Sequence, residues 1–373
     1  MKSNDICRAR NLCSGCAACA NICAYNAIEM KPDWRGFMYP HIDASKCADC
    51  GLCQKICPIN DTYPSFEYTN GYAFVERDKQ LLYKASSGGA FGVMARWVIS
   101  RGGVVFGASM DSDYNVNYVG VESVEELQKL YGSKYVQSYV GKVYRDVKKA
   151  LYGGRWVLFC GCPCQVSGLN HFLRKSYDKL ITMDLICHGV PSQPYFKAYV
   201  HDILLNEAKK GGGQLFRFRL KAEACFDTQS KQGKSVLIGF QSRDFYMTHF
   251  LWGKGYRNSC YQCSFNGYKR PGDFTIGDFW NNKVAQLPID DTHGASLIIC
   301  NTEKAKILLE EYYRNGSCEY IPTLELAISK DGGNVMHSSK NDLRTDFCYF
   351  LFKLMGVNGP KLFFAIEKKL MHL

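Results

Sequence analysis

Apolar and polar residues follow two different periods from residue 72 onward, one typical of strands and one typical of helices. Short apolar runs predict strands at 72–75, 104–108, 156–159, 180–186 and 297–300. Helical patterns occupy the segments 90–100, 142–151, 165–173, 192–210 and 303–313. Strands and helices that alternate in this way indicate an α/β layered domain.

The later part of the chain adds weaker signals. Residues 214–220 alternate apolar and charged side chains, as a half-exposed strand does. We expect residues 235–240 to pair with this strand, across a loop at 221–234. Residues 334–373 are mostly helical in pattern.

The first sixty residues have a different texture, because cysteines are dense there. Residues 61–71 are polar and contain Pro64 and Gly71, which is typical of a linker. We therefore expect an N-terminal module at 1–60, a linker at 61–71 and a second domain at 72–373.

Composition narrows the class of protein. The chain has 373 residues and 19 cysteines, yet it is long enough to bury a large core without disulfides. The first residues are polar and charged, and no run of 18 or more residues is apolar. We expect a cytoplasmic protein without a transmembrane segment, whose thiols are reduced and free to bind metal.

Eight of the cysteines form two copies of the pattern C-x2-C-x2-C-x3-C. The first copy is Cys13, Cys16, Cys19 and Cys23, and the second is Cys47, Cys50, Cys53 and Cys57. This spacing is typical of bacterial ferredoxins with two [4Fe-4S] clusters, in which the fourth cysteine reaches the other cluster. Cys57 should therefore join Cys13, Cys16 and Cys19, and Cys23 should join Cys47, Cys50 and Cys53.

Zinc is the alternative for these eight cysteines. Structural zinc usually takes two C-x2-C pairs separated by a longer loop, a pattern that four cysteines in eleven residues fit poorly. One departure from the ferredoxin pattern is Ala24, which stands where a proline is expected after Cys23. Cys7 lies outside both copies, and we expect it to be a free thiol.

Six more cysteines lie in loops after predicted strands or in a C-x2-C pair. They are Cys160, Cys162, Cys164, Cys187, Cys260 and Cys263. Loops at the carboxyl ends of strands are where sites form in α/β sheets. The alternative is that such cysteines are merely buried. We prefer that alternative for four others, which are Cys225, Cys300, Cys318 and Cys348.

With these motifs the chain resembles the family of coenzyme F420 hydrogenase/dehydrogenase beta subunits. The resemblance rests on SSGGAF (86–91), YGSKYVQS (131–138), GCPCQ (161–165), DLICHGVPS (184–192), and CYQC with GDFTIGDFW (260–280). It implies an FAD flavoprotein with a further [4Fe-4S] cluster in the second domain. Carried over to matching positions, the ligands of that cluster are Cys164, Cys187, Cys260 and Cys263, and Cys160 and Cys162 are additional residues around the motif.

No G-x-G-x-x-G or P-loop motif accompanies this resemblance, so a Rossmann dinucleotide fold is not expected. Small residues before the helix at 90–100 suit the approach of an anion to backbone N–H groups, although they also make ordinary helix caps. The candidate flavin-binding residues are Ser86, Ser87, Gly88, Gly89, Ser133, Tyr135 and Gln137. The candidate catalytic residues are Lys134 and His188, for which a surface lysine and a packed histidine are the simpler alternatives.

The pattern predicts an α+β protein, in which a two-cluster ferredoxin-like module precedes an α/β layered domain, and the resemblance implies that this second domain binds flavin and an iron–sulfur cluster. The predicted function is an oxidoreductase that passes electrons between [4Fe-4S] clusters and an organic hydride donor or acceptor, which in relatives includes reduced coenzyme F420. Its partner would be ferredoxin or another redox subunit. The alternative is an electron-transfer subunit without its own substrate site, docked on a larger complex. A redox sensor is a weaker idea, since no DNA-binding motif supports it.

The charge balance does not require nucleic acid. The net charge is 46 − 35 = +11, but no long basic run and no nucleic-acid motif is present. A four-thiolate cubane carries about −2 when oxidised, so three of them would offset roughly six positive charges. Part of the basic excess can therefore balance the clusters and the flavin phosphates.

Overall fold

The structure is a computed structural model that describes residues 6–61, 65–67, 70–208, 214–217, 227–229, 235–237, 245–267, 269–280, 287–323, 338 and 344–371. The helices are α1 (Ala18–Ile22), α2 (Leu52–Lys55), α3 (Lys79–Lys84), α4 (Ala90–Ser100), α5 (Val143–Tyr152), α6 (Pro163–Leu173), α7 (Gln193–Ala208), α8 (Phe245–Leu251), α9 (Asn258–Tyr261), α10 (Glu303–Arg314), α11 (Arg344–Met355) and α12 (Asn358–Met371). The strands are β1 (Ile28–Pro32), β2 (Met38–Ile42), β3 (Phe66–Glu67), β4 (Asn70–Glu76), β5 (Val104–Met110), β6 (Val116–Val121), β7 (Val157–Gly161), β8 (Leu180–Leu185), β9 (Gln214–Arg217), β10 (Asp227–Gln229), β11 (Ser235–Leu237), β12 (Lys269–Arg270), β13 (Phe274–Asp278), β14 (Ser296–Cys300) and β15 (Cys318–Pro322).

A large mixed sheet organises the second domain. Its strand order is β15-β4-β14-β13-β8-β7-β5-β6. The central strands β13, β8, β7 and β5 run parallel to one another, whereas β14, β4, β15 and β6 pair in antiparallel fashion. The carboxyl ends of the parallel strands therefore meet at one edge, where β7 ends at Gly161 and β8 ends at Leu185.

Helices cover both faces of this sheet. Helix α4 buries Ala90, Val93, Met94 and Trp97, a spacing of three and four residues that places them on one side of the helix. This side and α10 pack on one face of the sheet, while α5 and α6 pack on the other face. The predicted α/β layering is present, within a sheet that is mixed rather than parallel.

The N-terminal module packs directly onto α5 and α6. The Nζ of Lys142 donates to the carbonyl of Ala20 at 2.9 Å. Arg145 donates from Nε to the carbonyl of Asn21 at 2.7 Å and from Nη2 to the carbonyl of Cys23 at 2.7 Å. These contacts tie the end of α1 and the first cysteine loop to the second domain.

Where the structure describes them, the predicted helices and strands lie at the expected positions, but one pairing, one loop and the linker differ. Parts of the predicted segments 192–210, 214–220, 235–240 and 334–373 lie outside the described residues. The expected pairing of 214–220 with 235–240 is wrong, because β10 lies between β9 and β11 and supplies the backbone partner of each. The expected loop at 221–234 thus contains a strand at 227–229. Within the expected linker, β3 pairs with β12, and β4 already begins at Asn70.

Three of the four cysteines expected to be merely buried are buried in the structure. They are Cys300, Cys318 and Cys348. The fourth, Cys225, lies outside the described residues. None of the helices in the described part of the chain is both long and apolar enough to cross a membrane.

Candidate functional site

The two cysteine loops of the N-terminal module have the same backbone conformation. In the first loop Gly15 and Ala17 have positive φ angles of 71° and 60°. At the equivalent positions of the second loop, Asp49 and Gly51 have φ angles of 50° and 69°. Left-handed backbone is costly for alanine and aspartate, so its recurrence at matched positions indicates that both loops are shaped for the same kind of group.

The structure brings Cys57 to the first loop. One cavity is lined by Cys13, Cys16, Cys19 and Cys57, the four cysteines that the spacing groups together. In the other half of the module, Cys23 and Cys53 pack in one apolar cluster. Cys7, expected to be a free thiol, also lines the first cavity, and a hydrogen bond with the Cys57 thiol lowers its pKa.

The two halves of the module differ in exposure. Cys16 and Cys19 are buried, whereas Cys47 and Cys50 are exposed. Burial raises the pKa of Cys16 to about 11. The first loop therefore faces the second domain, and the second loop faces solvent.

A second cavity lies at the carboxyl edge of the parallel strands, and five cysteines line it. They are Cys162, Cys164, Cys187, Cys260 and Cys263. Cys162 precedes α6 and Cys164 lies in its first turn, Cys187 follows β8, and Cys260 lies on α9. The sulfur atoms of Cys162 and Cys187 are 3.8 Å apart.

The two additional cysteines differ in their position relative to the end of β7, since Cys160 lies within the strand and Cys162 follows it. Cys160 does not line the cavity and instead neighbours Lys134 and Asp184. Cys162 lies inside it, together with the four residues that the resemblance implies as ligands. The structure thus leaves five thiols for four ligand positions.

Burial controls the protonation of these thiols in the metal-free chain. It raises the pKa of Cys260 to about 12 and that of Cys263 to about 11. Arg257 acts in the opposite direction on Cys260, and Arg270 does so on Cys263. Binding of a cluster replaces the thiol protons, since thiolates are the ligating form.

Two fully buried arginines stand beside the cavity, and the sequence pattern did not reveal either. Arg270 donates from Nε to the Oδ1 of Asp184 at 3.1 Å and forms an ion pair with it. Arg257 donates from Nε to the carbonyl of Cys13 at 2.6 Å. Arg257 precedes Cys260 by three residues, and this placement of a cation next to the C-x2-C pair is the signal that the sequence offered.

The first cavity and the second cavity meet at α6. A Cβ atom on Gly168 would lie 3.0 Å from the sulfur of Cys16, so only glycine lets the first loop approach this closely. Cys164 begins the same helix. Cys13 and Cys57 also pack in one apolar cluster with Cys164 and Cys263, whose buried members are Cys7, Ile59 and Phe265.

The candidate flavin loops are brought together in part. The N–H of Ser133 donates to the Oγ of Ser86 at 3.0 Å, which joins the two motifs. The Oγ of Ser87 donates to the carbonyl of Ala295 at 2.7 Å. The loops at Ser86 and Ser133 are therefore in direct contact, and the second of them continues into Lys134 and Tyr135.

The two glycines of this motif have a packing role of their own. A Cβ atom on Gly88 would lie 2.2 Å from the carbonyl oxygen of Phe74 and 2.3 Å from the nitrogen of Ser296. Gly89 has a φ of 85°, and its Cβ would lie 2.7 Å from that of Glu76. Close backbone packing against β4 and β14 therefore requires glycine here, with or without a bound anion.

Lys134 is half-buried and caps the turn before it. Its Nζ donates to the carbonyls of Leu130 at 2.9 Å and Tyr131 at 3.0 Å. Burial lowers the pKa of Lys134 to about 7, and the neighbouring Cys160 acts in the opposite direction. An amine with this pKa can hold or release a proton near neutral pH.

Of the remaining candidates, His188 and Gln137 line the five-cysteine cavity, and Tyr135 does not. The Nε2 of His188 is 2.9 Å from the carbonyl of Leu251, and His188 lines the five-cysteine cavity. Tyr135 packs its ring against Phe250, with centroids 4.8 Å apart. Gln137 is buried, and its Nε2 donates to the carbonyl of Ser14 at 3.2 Å. Its side chain therefore contacts the N-terminal module rather than the loops at Ser86 and Ser133.

The donor set fits polynuclear clusters. Among the residues that the structure describes, no three His, Cys, Asp or Glu side chains converge closely enough to hold a single metal ion. Ligands of a cubane bind four different irons, so they surround a volume rather than a point. The two cysteine loops of matched shape and the second cavity with its five thiols satisfy that requirement.

Comparisons with known proteins match two regions of the chain. Residues 154–325 match the family model described as the C terminus of the coenzyme F420 hydrogenase/dehydrogenase beta subunit. Residues 12–60 match the 4Fe-4S dicluster domain.

Two curated relatives cover different parts. A component of the F420H2 dehydrogenase of Methanosarcina mazei is 20% identical over 207 residues, which are 53% of this chain and 57% of the relative. An uncharacterized polyferredoxin-like protein of Methanocaldococcus jannaschii is 34% identical over 86 residues, which are 20% of this chain and 51% of the relative. The chain thus spans about half the length of the curated relatives it matches.

Among solved structures, a chain of the F420-reducing [NiFe] hydrogenase complex from Methanosarcina barkeri aligns with a TM-score of 0.49 and 17% identity. The alignment covers 83% of this chain and 94% of that chain.

Proposed function

With residues 154–325 belonging to the family of coenzyme F420 hydrogenase/dehydrogenase beta subunits and residues 12–60 forming a 4Fe-4S dicluster domain, we propose that the chain is an iron–sulfur flavoprotein oxidoreductase. Electrons would pass between the exposed end of the N-terminal module and an organic hydride donor or acceptor at the second domain. The observation that carries this proposal is the contact of the first loop with α6, which joins the two cysteine cavities.

Three clusters require twelve thiolates, and the chain supplies them in three groups. The first group is Cys13, Cys16, Cys19 and Cys57; the second is Cys23, Cys47, Cys50 and Cys53; the third is Cys164, Cys187, Cys260 and Cys263. Bound clusters supply single-electron transfer, and a bound FAD exchanges a hydride for single electrons. The residues of the chain determine where each cluster and the FAD would lie, and which electron donors or acceptors can approach them.

The exposure of the second group of cysteines indicates where a redox partner can dock. Cys47 and Cys50 are exposed, so a ferredoxin or another redox protein can approach the second group closely. The first group is shielded by the module and by α6. The third group lies in a cavity whose lining includes His188.

The loops at Ser86 and Ser133 are the proposed place for FAD. Their hydrogen bond holds the two loops at a fixed separation. Lys134, with its pKa of about 7, can hold a proton at Nζ next to these loops. We propose a proton-holding role for Lys134 on this basis. His188 would act nearer the third group, because it lines the cavity of those cysteines.

A carrier without its own substrate site is the second candidate. Helices α11 and α12 expose several large apolar side chains, which is typical of a surface that meets another protein. These side chains are Phe347, Phe350, Leu354, Met355, Leu362 and Ile366. A carrier would use this surface to dock on a larger redox complex, and it would need no flavin.

Anaerobic mixing with hydride donors distinguishes the two candidates. We expect reduced coenzyme F420, or another donor from a panel that includes NADH and NADPH, to reduce the clusters, as followed by electron paramagnetic resonance (EPR). Dithionite serves as the control, because it reduces clusters directly. If dithionite reduces the clusters and no hydride donor does, in a preparation without bound flavin, the carrier is favoured and the enzyme is wrong.

A further inference from the structure

Arg257 lies between the first and third groups of cysteines. Its side chain is fully buried, and its Nη2 donates to the carbonyl of Met38 at 3.0 Å and lies 3.8 Å from the sulfur of Cys13. Its guanidinium lies 4.1 Å from the centroid of the Tyr39 ring. Arg257 also lines the five-cysteine cavity, together with Cys260.

The charge of Arg257 has no carboxylate partner in the described part of the chain. The other strongly buried arginines do have one, since Arg270 pairs with Asp184 and Arg35 pairs with Asp346. A buried cation without a counter-charge is strongly disfavoured. The negative charge that can compensate Arg257 is that of the cysteine thiolates on either side and of the clusters that they would hold.

Close packing and hydrogen bonds from the surrounding residues fix the position of the Arg257 guanidinium. Gly15 has a φ of 71°, and a Cβ atom there would lie 3.0 Å from the Nη1 of Arg257. Gln137 accepts from that Nη1 at 3.4 Å and donates to the carbonyl of Ser14 at 3.2 Å. The cysteine loop, the guanidinium and the second domain therefore form one connected hydrogen-bond network.

We propose that Arg257 is a positioning residue that fixes the first cysteine loop against the second domain and raises the reduction potentials of the two clusters beside it. The proposal rests on the cluster assignment of the proposed function. The step concerned adds one electron to a cluster, and no bond forms or breaks. A fixed positive charge in a buried environment stabilises that added negative charge. The cluster of Cys47 and Cys50, at the exposed end of the module, should feel little of this charge.

The test is an EPR-monitored potentiometric titration of the anaerobically purified full chain, with dithionite as reductant. In Arg257→Gln we expect the equilibrium constant for reduction to fall about tenfold for two of the three clusters. Tenfold corresponds to about 59 mV for one electron. The cluster of the second group, which includes Cys47 and Cys50, should keep its potential, and it serves as a reference within the same molecule.

A second variant tests the same electrostatic effect if Arg257→Gln fails to retain its clusters. Gln137→Glu places a carboxylate beside the same guanidinium with almost no change in shape, so it should lower the same two potentials. Arg257→Lys keeps the charge and should recover most of the shift. Arg35→Gln is the matched control, because Arg35 is also buried at the module interface but has carboxylate partners, and it contacts no cysteine in the described part of the chain.

The proposal is wrong if Gln137→Glu and any folded Arg257→Gln leave all potentials unchanged. It is equally wrong if all three potentials fall together, since that result would indicate a general change in solvent access. Iron is counted in the wild-type protein first. A wild-type chain with too few clusters would overturn the proposed function itself, and that outcome is separate from a failure of the potentials to move.

Discussion

Replacing Cys260 with serine should remove one cluster and lower the iron content from about twelve to about eight atoms per chain. Cys260 lies on α9 and lines the five-cysteine cavity, and it is one of the four ligands assigned to the third group. Serine keeps the shape of the side chain but is a poor ligand for iron–sulfur clusters. The iron and sulfide contents and the EPR spectrum of the reduced protein measure the effect.

Two cysteine variants in the neighbouring segment provide matched controls. Cys160→Ser should leave the iron content unchanged, because Cys160 lies outside the cavity. Cys162→Ser should also retain about twelve iron atoms, since the resemblance assigns the ligand position in this segment to Cys164. An unchanged iron content in Cys260→Ser, or the loss of all clusters, would contradict the ligand assignment.

The second large effect is expected from Asp184→Ala, which should destabilise the folded chain by about 3–5 kcal/mol. Asp184 is completely buried near the end of β8. Its carboxylate accepts from the Nε of Arg270 at 3.1 Å, the N–H of Gly272 at 2.9 Å and the Oγ1 of Thr275 at 2.9 Å. Truncation leaves the buried guanidinium of Arg270 without its counter-charge beside the third group of cysteines.

Thermal and denaturant unfolding under anaerobic conditions measure this loss. Asp290→Ala is the control, because Asp290 makes an exposed ion pair with Lys79, and exposed pairs contribute little to stability. If Asp184→Ala and Asp290→Ala have similar effects, the buried ion pair is not important for the stability of the site.

The elements of the fold follow from short-range patterns, and that is why most of them could be predicted. Helix α4 buries residues at three- and four-residue spacing, and the strand β7 is a short apolar run. Strand pairing depends on residues far apart in sequence. The strand β10 carries only a weak local signal, and its insertion between β9 and β11 could not be predicted from the pattern alone.

The same distinction applies to the site. The spacing of the cysteines predicts which ones belong together, and the structure brings Cys57 to the first loop and Cys164 to Cys260. The role of Arg257 was not predictable, because its contact with Cys13 joins residues 244 positions apart. Glycines mark only half of the left-handed positions in the two loops, since the others are Ala17 and Asp49.

We expect this chain to hold three [4Fe-4S] clusters and one flavin. Anaerobic purification of the full chain, followed by measurement of iron, acid-labile sulfide, zinc and extracted flavin, tests it directly. We predict about twelve iron atoms, about twelve sulfides and about one FAD per chain. About eight iron atoms without flavin would contradict the proposed oxidoreductase function and favour a two-cluster electron carrier. Zinc in place of iron would contradict the iron–sulfur assignment of all three cysteine groups.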